Sequence, residues 1–549
     1  MKRKFIIGPP GTGKTTRLVE IYYSRIQKYT IEKIQVISHT RVAADEIRAK
    51  ILDEKEARRY EKEHNVVVWD KIKIKNKSLF NLTVCTIHSY CNNLPGRSVA
   101  EVFDEATYME LCRRKVMFQL YYKGAKDLKS LNKRHPFFKF LGLAKDNGFT
   151  LAEYWHSHRL TNEDRADYKY TLSQLQELNT YYQAFKKDIK LNGKSSYLKD
   201  FADMIEHFYE APKDPDLDVL IVDEAQDSSI PQRKALDKME KKAQEVYWAG
   251  DPDQAIFAFA GADPDYFSRI SVNPDEELEQ GHRCPKRINQ YCKSIIEPIW
   301  KHYGYRRTWI PTNEEGEIYR LENLNQCPKL SLLLDRLKNT DESFIFTYRG
   351  GNGPRDTILD FFKRHGIRYG RYGTDTVFVK NWEINCHRNF PLWMKGQPLP
   401  LTKIKDLWKK GDSKLIVHGK GEFDFKGYIN RDYTVDELIQ AKLIKPEAKQ
   451  YTKYEDVKLK EARATRLETF KRTEYIDQII KDNVDLKKDL RIFYENIHSI
   501  KGTEFDNVIL DESLTRWEDR FTRLRLRYVA CSRAKKTLWL LRKTTERIL

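Results

Sequence analysis

Short, mainly apolar runs alternate along the chain with segments whose apolar residues recur at helical spacing. In the first half, runs typical of buried strands lie at residues 5–7, 34–37, 84–87 and 219–222. Between two of them, Ala43, Ile47 and Ile51 recur every four positions, which places them on one face of a helix. Buried strands that alternate with amphipathic helices are typical of a parallel sheet. A first α/β core is therefore predicted at residues 1–95 and 196–275.

The second half of the chain repeats this alternation. Strand patterns lie at residues 317–321, 343–347, 490–494, 508–510 and 537–541. We expect a second α/β core at residues 276–377 and 486–549. Two stretches interrupt the cores: residues 96–195 are helix-like and rich in Tyr, Phe and Lys, and residues 378–485 are rich in Lys. The predicted fold class is α/β, with two cores in tandem, each holding an inserted subdomain that is mainly helical or mixed.

Length, charge and cysteine content narrow the classes of function. A chain of 549 residues exceeds the size at which one hydrophobic core keeps growing, so several domains are expected. The formal net charge of +19 favours a polyanionic partner, nucleic acid ahead of an anionic membrane, while a charge that serves only solubility stays open. No apolar run approaches the ~18 residues of a membrane span. The cysteines form no C-x-x-C pair, so neither zinc nor disulfides are predicted and a reducing, cytoplasmic compartment is expected.

Residues 8–16 form the strongest single motif. They fit G-x-x-x-x-G-K-[ST], follow a predicted strand and precede a predicted helix, a setting that disfavours a merely structural glycine-rich turn. Glycines let the backbone curl so that its N–H groups face phosphates at a helix N-terminus. Lys14 is expected to reach the β- and γ-phosphates of a nucleoside triphosphate, and Thr15 to bind Mg²⁺. The predicted nucleotide-binding loop comprises Gly8, Pro9, Pro10, Gly11, Thr12, Gly13, Lys14, Thr15 and Thr16.

Two carboxylates end the apolar run at residues 219–222. At the carboxyl end of such a strand, Asp223 is expected to hold Mg²⁺, and Glu224 to orient or deprotonate an attacking water. Acidic strand ends are common in proteins of every class. The phosphate loop upstream and the following Ala-Gln-Asp make the catalytic interpretation the stronger one here.

Seven segments resemble, in sequence and in order, the motifs of the UvrD/PcrA/Rep-like superfamily 1 DNA helicases. They lie at residues 38–44, 85–89, 223–227, 250–262, 278–283, 497–505 and 527–535. The resemblance implies two RecA-like P-loop NTPase cores that use ATP and Mg²⁺. It spans both predicted cores, and neither insertion carries a recognisable signature.

The resemblance also assigns roles to individual residues. Gln254 would sense the γ-phosphate, Glu504 would contact the ribose or the bound nucleotide, and two arginine fingers, Arg283 and Arg533, would act from the second core. Hydrolysis would then require the two cores to close on the nucleotide. Residues expected to contact DNA, through stacking or through backbone or base contacts, are His39, Thr40, His88, Phe257, Phe259, Arg349 and His498.

Several positions depart from the family pattern. His282 replaces the adenine-stacking Tyr, and Gly281 replaces an Asn. The adenine-packing Arg falls at Thr16, with Arg17 one position away as the candidate for that contact. Only seven residues precede Gly8, where the family usually carries a glutamine-bearing motif that reads adenine. The preference for ATP over other triphosphates is therefore left open.

The expected function is that of a monomeric, DNA-stimulated ATPase that moves 3′ to 5′ on single-stranded DNA and unwinds duplex ahead of it. The polarity follows from the resemblance alone. Its partners would be single-stranded and partly duplex DNA, without a membrane, in the cytoplasm of a bacterium or of a phage-infected host. Two alternatives stay open: a translocase that strips proteins from DNA, and an RNA helicase. A binding protein with a silent ATPase is disfavoured, because the residues expected for hydrolysis are all present: Lys14, Thr15, Asp223, Glu224, Gln254, Arg283 and Arg533.

Overall fold

Two six-stranded sheets, both entirely parallel, dominate the computed structural model of the chain. The residues that the structure describes are 3–73, 75, 77–92, 110–111, 114, 135–157, 170–188, 190–191, 194–195, 200–322, 324, 329–350, 352–373, 381–410, 415–417, 431–454, 475–477, 479–481, 490–513 and 519–541.

Strands and helices alternate through most of the described chain. The strands are β1 (Arg3–Ile7), β2 (Ile34–Ser38), β3 (Val84–Thr86), β4 (Lys190–Leu191), β5 (Lys194–Ser195), β6 (Val219–Val222), β7 (Glu245–Gly250), β8 (Glu276–Glu277), β9 (Glu317–Leu321), β10 (Phe344–Tyr348), β11 (Gly370–Arg371), β12 (Leu399–Pro400), β13 (Asp432–Tyr433), β14 (Ile492–Asn496), β15 (Phe505–Asp511) and β16 (Ala534–Leu541). The α-helices are α1 (Lys14–Arg25), α2 (Arg41–Ile51), α3 (Glu54–His64), α4 (Trp69–Lys73), α5 (Lys77–Thr83), α6 (Ile87–Asn92), α7 (Pro136–Asp146), α8 (Leu151–His156), α9 (Leu172–Asp188), α10 (Phe201–Glu210), α11 (Ile230–Glu240), α12 (Pro264–Ile270), α13 (Lys286–Tyr303), α14 (Leu330–Asn339), α15 (Asn352–Arg364), α16 (Asn381–Met394), α17 (Leu401–Lys410), α18 (Val435–Gln440) and α19 (Arg520–Cys531).

The first sheet has the strand order β3-β2-β6-β7-β1-β8. Successive side chains of a strand point to opposite faces, and β6 shows the consequence. Val219 and Ile221 pack into one apolar cluster with α1, α2 and α3, whereas Leu220 and Val222 pack into another with α10, α11 and α12. A strand that is buried on both faces must be apolar throughout, which explains the continuous run that predicted it.

The second sheet has the strand order β11-β14-β10-β15-β16-β9. Its apolar cluster joins Phe344 and Phe346 of β10 to Phe361 and Phe362 of α15, and it includes Trp539 of β16. The two parallel sheets with their helices confirm the predicted α/β fold class with two tandem cores.

The internal contacts divide the chain into two compact units. The first unit is Met1–Gly316 with Glu518–Ser532, and the second unit is Glu317–Trp517 with Arg533–Leu549. This division differs from the predicted boundary, which ended the first core at residue 275. The reason is that β8 pairs with β1, so the chain beyond residue 275 continues the first sheet instead of starting the second.

The predicted insertions are described in part, and each has an apolar cluster of its own. In the range 96–195, α7, α8 and α9 pack around Phe137, Phe140 and Tyr182. In the range 378–485, α16, α17 and α18 pack around other aromatic and aliphatic side chains, Trp393 among them. The division of the chain into cores and inserted subdomains stays a prediction. Among the helices described, none is long and apolar enough to cross a membrane.

Candidate active site

The phosphate loop connects β1 to α1 and depends on its glycines. Gly11 and Gly13 have φ angles of 74° and 84°, in the left-handed region that glycine enters without strain. A side chain at Gly8 would overlap the hydroxyl of Thr12, which itself donates a hydrogen bond to the carbonyl of Pro9 at 2.8 Å. The curl that the motif predicts is therefore formed by the loop's own contacts.

Lys14 lies inside this curl. Its ammonium group donates to the carbonyl oxygens of Gly8 at 2.7 Å and Pro9 at 3.3 Å, and the residue is 9% exposed. It is the first residue of α1, where backbone N–H groups and the helix dipole favour an anion. Lys14 is thus held where it can exchange carbonyl oxygens for phosphate oxygens. Thr15 and Thr16 follow it in the first turn of α1.

The two predicted carboxylates follow β6 directly. Asp223 is 3% exposed, and burial together with the charge of Glu224 raises its pKa to about 7, against the opposing effect of Lys14. Glu224 has a φ of 51°, which non-glycine residues rarely adopt, and strained backbone of this kind clusters at active sites. Its carboxylate accepts a hydrogen bond from the side-chain amide of Gln226.

Asp223 and Thr15 fit a magnesium ion. A buried carboxylate whose pKa is raised by desolvation gains most from a nearby cation, and a hydroxyl with one carboxylate is a ligand set that Mg²⁺ accepts when phosphates and waters complete it. Within the described ranges, no group of three His, Cys, Asp or Glu side chains forms a ready-made metal cage. The site thus suits a metal that arrives with its nucleotide.

A chain of hydrogen bonds links Glu224 to the predicted phosphate sensor. The side-chain oxygen of Gln226 accepts from the backbone N–H of Asp251 at 3.1 Å, and the carboxylate of Asp251 accepts from the side-chain amide of Gln254 at 2.7 Å. Burial raises the pKa of Asp251, and the charge of Lys14 opposes that shift. Gln226 and Asp251 are absent from the predicted site, although both lie inside the motifs that predict it.

The segment at residues 278–283 lies against the phosphate loop. The backbone N–H of Leu278 donates to Ile7 at 2.8 Å, and that of His282 donates to Gly11 at 2.9 Å. A Cβ atom at Gly11 would stand 2.8 Å from the Cβ of Arg283, so only glycine leaves Arg283 this close. The motif order predicts that Arg283 acts from the second core. Its contacts place it in the first unit, beside the loop that it was predicted to serve.

Gly281 and Arg17 have structural partners of their own. A side chain at Gly281 would come within 2.8 Å of the indole nitrogen of Trp309, which accounts for the absence of the family's Asn. The guanidinium of Arg17 pairs with Glu276 at 2.6 Å and with Glu20 at 3.0 Å, and so joins α1 to β8. Its predicted contact with adenine stays a prediction.

The remaining nucleotide-binding candidates belong to the second unit. Arg533 is 2% exposed, and its guanidinium donates to the backbone oxygen of Thr503 at 3.4 Å. The neighbouring Glu504 is exposed and pairs with Lys535 at 3.7 Å. The second finger candidate is therefore packed against the segment that carries the ribose-contact candidate.

The DNA-contact candidates of the first unit have different surroundings. His39 shares a hydrogen bond of 3.0 Å with the hydroxyl of Ser228, and Thr40 caps α2 by accepting from Ala43 N–H at 3.1 Å. Burial lowers the pKa of His88 to about 4, so its imidazole is neutral at physiological pH.

Two aromatic rings stand close together just after the phosphate sensor. The rings of Phe257 and Phe259 are 6.0 Å apart with an interplanar angle of 47°, and Phe259 is 52% exposed. An exposed large aromatic side chain at this position has the geometry of a base-stacking platform. In the second unit, Arg349 and His498 share a contact of 3.2 Å between Nη1 and Nδ1.

Comparison with known families adds an independent finding. A family model for the UvrD/REP helicase N-terminal domain matches residues 2–274, and a model for the UvrD-like helicase C-terminal domain matches residues 492–541. The first match contains the phosphate loop, both carboxylates and Gln254, and the second contains Glu504 and Arg533. No curated protein sequence matches the chain significantly.

Proposed function

Because this chain belongs to the UvrD-like superfamily 1 helicases, we propose that it hydrolyses ATP in response to single-stranded DNA, moves 3′ to 5′ along that strand and separates duplex ahead of it. ATP dependence and action on DNA come with the family, whereas the polarity and the stimulation by DNA are the proposal. One observation carries the proposed hydrolysis and its link to the phosphate sensor: the hydrogen-bond chain from Glu224 through Gln226 and Asp251 to Gln254. The polarity rests on the family resemblance alone.

In the proposed hydrolysis step, water attacks the γ-phosphorus, its bond to the ADP oxygen breaks, and ADP and phosphate leave. Glu224, whose carboxylate is held in position by the amide of Gln226, takes the proton of that water. Lys14 and Arg283, which both adjoin the phosphate loop, stabilise the negative charge that spreads over the transferred phosphoryl group. When bound, Mg²⁺ neutralises charge on the phosphate oxygens, with Thr15 and Asp223 as the residues that would hold it. Arg533 supplies the second finger from the second unit.

The proposed coupling of hydrolysis to DNA follows from how close the phosphate sensor and the stacking aromatic residues lie in the sequence. Gln254, the proposed sensor, is three residues from Phe257 and five from Phe259, and a short 3-10 turn at Pro252–Gln254 joins them to β7. A shift of Gln254 between the ATP and ADP states would therefore move the stacking platform. Repeated shifts of this kind would advance the strand.

Two measurements test the proposal. ATP hydrolysis is compared with and without single-stranded DNA, and unwinding is compared on duplexes that carry a 3′ or a 5′ single-stranded tail. We expect hydrolysis to rise with DNA, and only the 3′-tailed duplex to separate. Absence of stimulation would contradict the proposed motor, and unwinding from the 5′ tail alone would contradict its polarity.

The alternatives are distinguished in the same assays. Stimulation without separation of either duplex would favour a translocase that displaces proteins. Stimulation by single-stranded RNA equal to that by DNA would favour action on both nucleic acids. The Lys14→Ala protein serves as the control, since any hydrolysis that it retains comes from another enzyme in the preparation.

A further inference from the structure

Asp253 is a buried carboxylate that the proposed hydrolysis does not use. It is 1% exposed, and in the sequence it lies between Gln254, the predicted phosphate sensor, and Asp251, the carboxylate that accepts the sensor's hydrogen bond. Its two oxygens accept hydrogen bonds from the indole N–H of Trp300 at 2.6 Å and from the hydroxyl of Tyr305 at 2.8 Å. Its backbone N–H donates to the Asp251 carboxylate at 3.0 Å, which joins the two acids directly.

The charge of Asp253 is only partly balanced. Burial and the neighbouring Asp251 raise its pKa to about 7, while the hydrogen bonds from Trp300 and Tyr305 and the charge of Arg525 oppose the shift. Arg525, on α19, is 2% exposed and donates to the hydroxyl of Ser268 at 3.2 Å. A buried ionisable group is expensive to retain when an apolar residue could fill the same space. Asp253 therefore calls for a role other than stability.

The partners of Asp253 adjoin both arginine segments along the chain. Trp300 belongs to α13, which begins at Lys286, three residues after Arg283. Arg525 belongs to α19, which ends at Cys531, two residues before Arg533. The turn that carries Gln254 is thus connected, through one carboxylate, to the two helices that follow or precede the predicted fingers.

We propose that Asp253 is a positioning residue, which fixes the sensor turn against α13 and α19 so that reading of the γ-phosphate by Gln254 reaches the arginine-bearing segments. The inference rests on the proposed function in that it takes Gln254 as the sensor. It assigns to Asp253, Trp300 and Tyr305 a role in transmission, with no contact to the nucleotide or to DNA.

The test removes the two neutral donors together, in the Trp300→Phe/Tyr305→Phe protein. The matched control is Tyr291→Phe, which removes a bond of 2.9 Å between the same two helices, from Arg527 on α19 to the Tyr291 hydroxyl on α13. The first readout is ATP hydrolysis per active site, titrated with a fluorescent ATP analogue. We expect the double variant to lower kcat about tenfold, the effect of two lost hydrogen bonds, and to leave KM unchanged, whereas the control keeps both constants.

The second readout needs neither hydrolysis nor DNA. Hydrogen exchange of the α13 and α19 amides is measured with and without a non-hydrolysable ATP analogue and Mg²⁺. We expect the analogue to slow exchange in the unaltered protein and in Tyr291→Phe, and to lose this effect in the double variant while still binding. Should the double variant fail to fold, Asp253→Asn replaces it, because it keeps the size and one acceptor oxygen and removes the charge.

The outcomes separate this inference from the proposed function. If the unaltered protein shows no stimulation by DNA, the motor proposal fails, and the exchange measurement still decides the role of Asp253. If the variant keeps kcat and the nucleotide-dependent protection of α13 and α19, the positioning role is refuted. Equal loss of kcat and of thermal stability in both the variant and the control would indicate a purely structural network, and would refute it as well.

Discussion

The two six-stranded sheets share a parallel architecture but treat buried acids in opposite ways. At the carboxyl ends of the first sheet, Asp223, Asp251 and Asp253 are buried, and burial raises the pKa of each. In the second sheet, the buried Glu495 of β14 pairs with Arg371 at 2.6 Å, and its oxygens also accept from Asn496. The first sheet holds carboxylates that a further cation would stabilise, whereas Glu495 of the second sheet has an internal counter-charge.

This difference indicates which buried acids are candidates for catalysis or metal binding. The carboxyl ends of the strands form a binding edge in any open parallel sheet, so architecture alone does not show which of the two sheets carries a site. A buried acid with a raised pKa is a functional candidate, because the protein retains it at a cost in stability. A buried acid with a full counter-charge serves structure. On this criterion we expect the metal and phosphate site at the first sheet. Glu495 accepts from Asn496, the N-cap of the turn that contains His498, and we expect it to serve structure.

The largest expected effect comes from the two finger candidates, one in the first unit and one in the second. Arg283→Ala and Arg533→Ala should each lower kcat by at least about 10³, the usual contribution of an arginine finger. Arg287→Ala is the control, since its exposed side chain lies four residues from Arg283 and pairs only loosely with Glu315, at 3.9 Å. The measurement is steady-state ATP hydrolysis with saturating single-stranded DNA. Near-normal activity in Arg533→Ala would leave the first sheet as the sole source of catalytic charge.

The next largest effect is expected in a comparison of two variants, in which one acid from each sheet is replaced. Glu224→Gln should lower kcat about 10²-fold, the range of a lost general base, while ATP still binds. Glu495→Gln should keep hydrolysis without DNA within about twofold, because Glu495 balances Arg371 and is remote from the phosphate loop in sequence. Nucleotide affinity is measured by equilibrium titration and hydrolysis by phosphate release. Comparable losses in the two variants would refute the distinction drawn between the sheets.

The fold class was predictable because its signals are local. Apolar runs such as the one at β6 arise from burial on two faces, and the structure confirms the α/β class that they predict. The boundary between the units was not predictable in the same way. β8 is only two residues long and consists of Glu276 and Glu277, so it has no apolar pattern, and only its pairing with β1 assigns it to the first sheet.

The residues of the candidate site also differ in how far the sequence predicts them. The residues of the phosphate loop and the carboxylates are adjacent in sequence to the strands that position them, so motifs suffice to nominate them. The network around Asp253 is different, because Trp300 and Tyr305 lie 47 and 52 residues away. The signal was present in the motif as a second acid two positions after Asp251. Its meaning depends on partners that only the folded chain brings to it.

A smaller effect is expected for the stacking platform. Phe259→Ala should weaken binding of single-stranded DNA about tenfold, since stacking on one aromatic side chain contributes ~1–3 kcal/mol per base. Leu82→Ala is the control, because Leu82 is a similarly exposed apolar side chain, at 48% against 52%. Binding is measured by fluorescence anisotropy of a labelled oligonucleotide at fixed salt, without nucleotide. Equal affinity of Phe259→Ala and the unaltered protein would exclude Phe259 from the strand-binding surface.

The smallest effect concerns Arg17. Its guanidinium is 38% exposed and already paired with Glu20 and Glu276, and partly exposed pairs of this kind contribute about 0–1 kcal/mol. We therefore expect Arg17→Ala to change KM for ATP less than about threefold, and KM for GTP by the same factor. A tenfold rise in KM for ATP alone would instead place Arg17 on the adenine ring. If the small, equal change is found, the positive charge that serves the nucleotide in the first unit comes from Lys14 and Arg283. Arg17 then serves to hold β8 against α1, which is the contact that extends the first sheet beyond the predicted boundary.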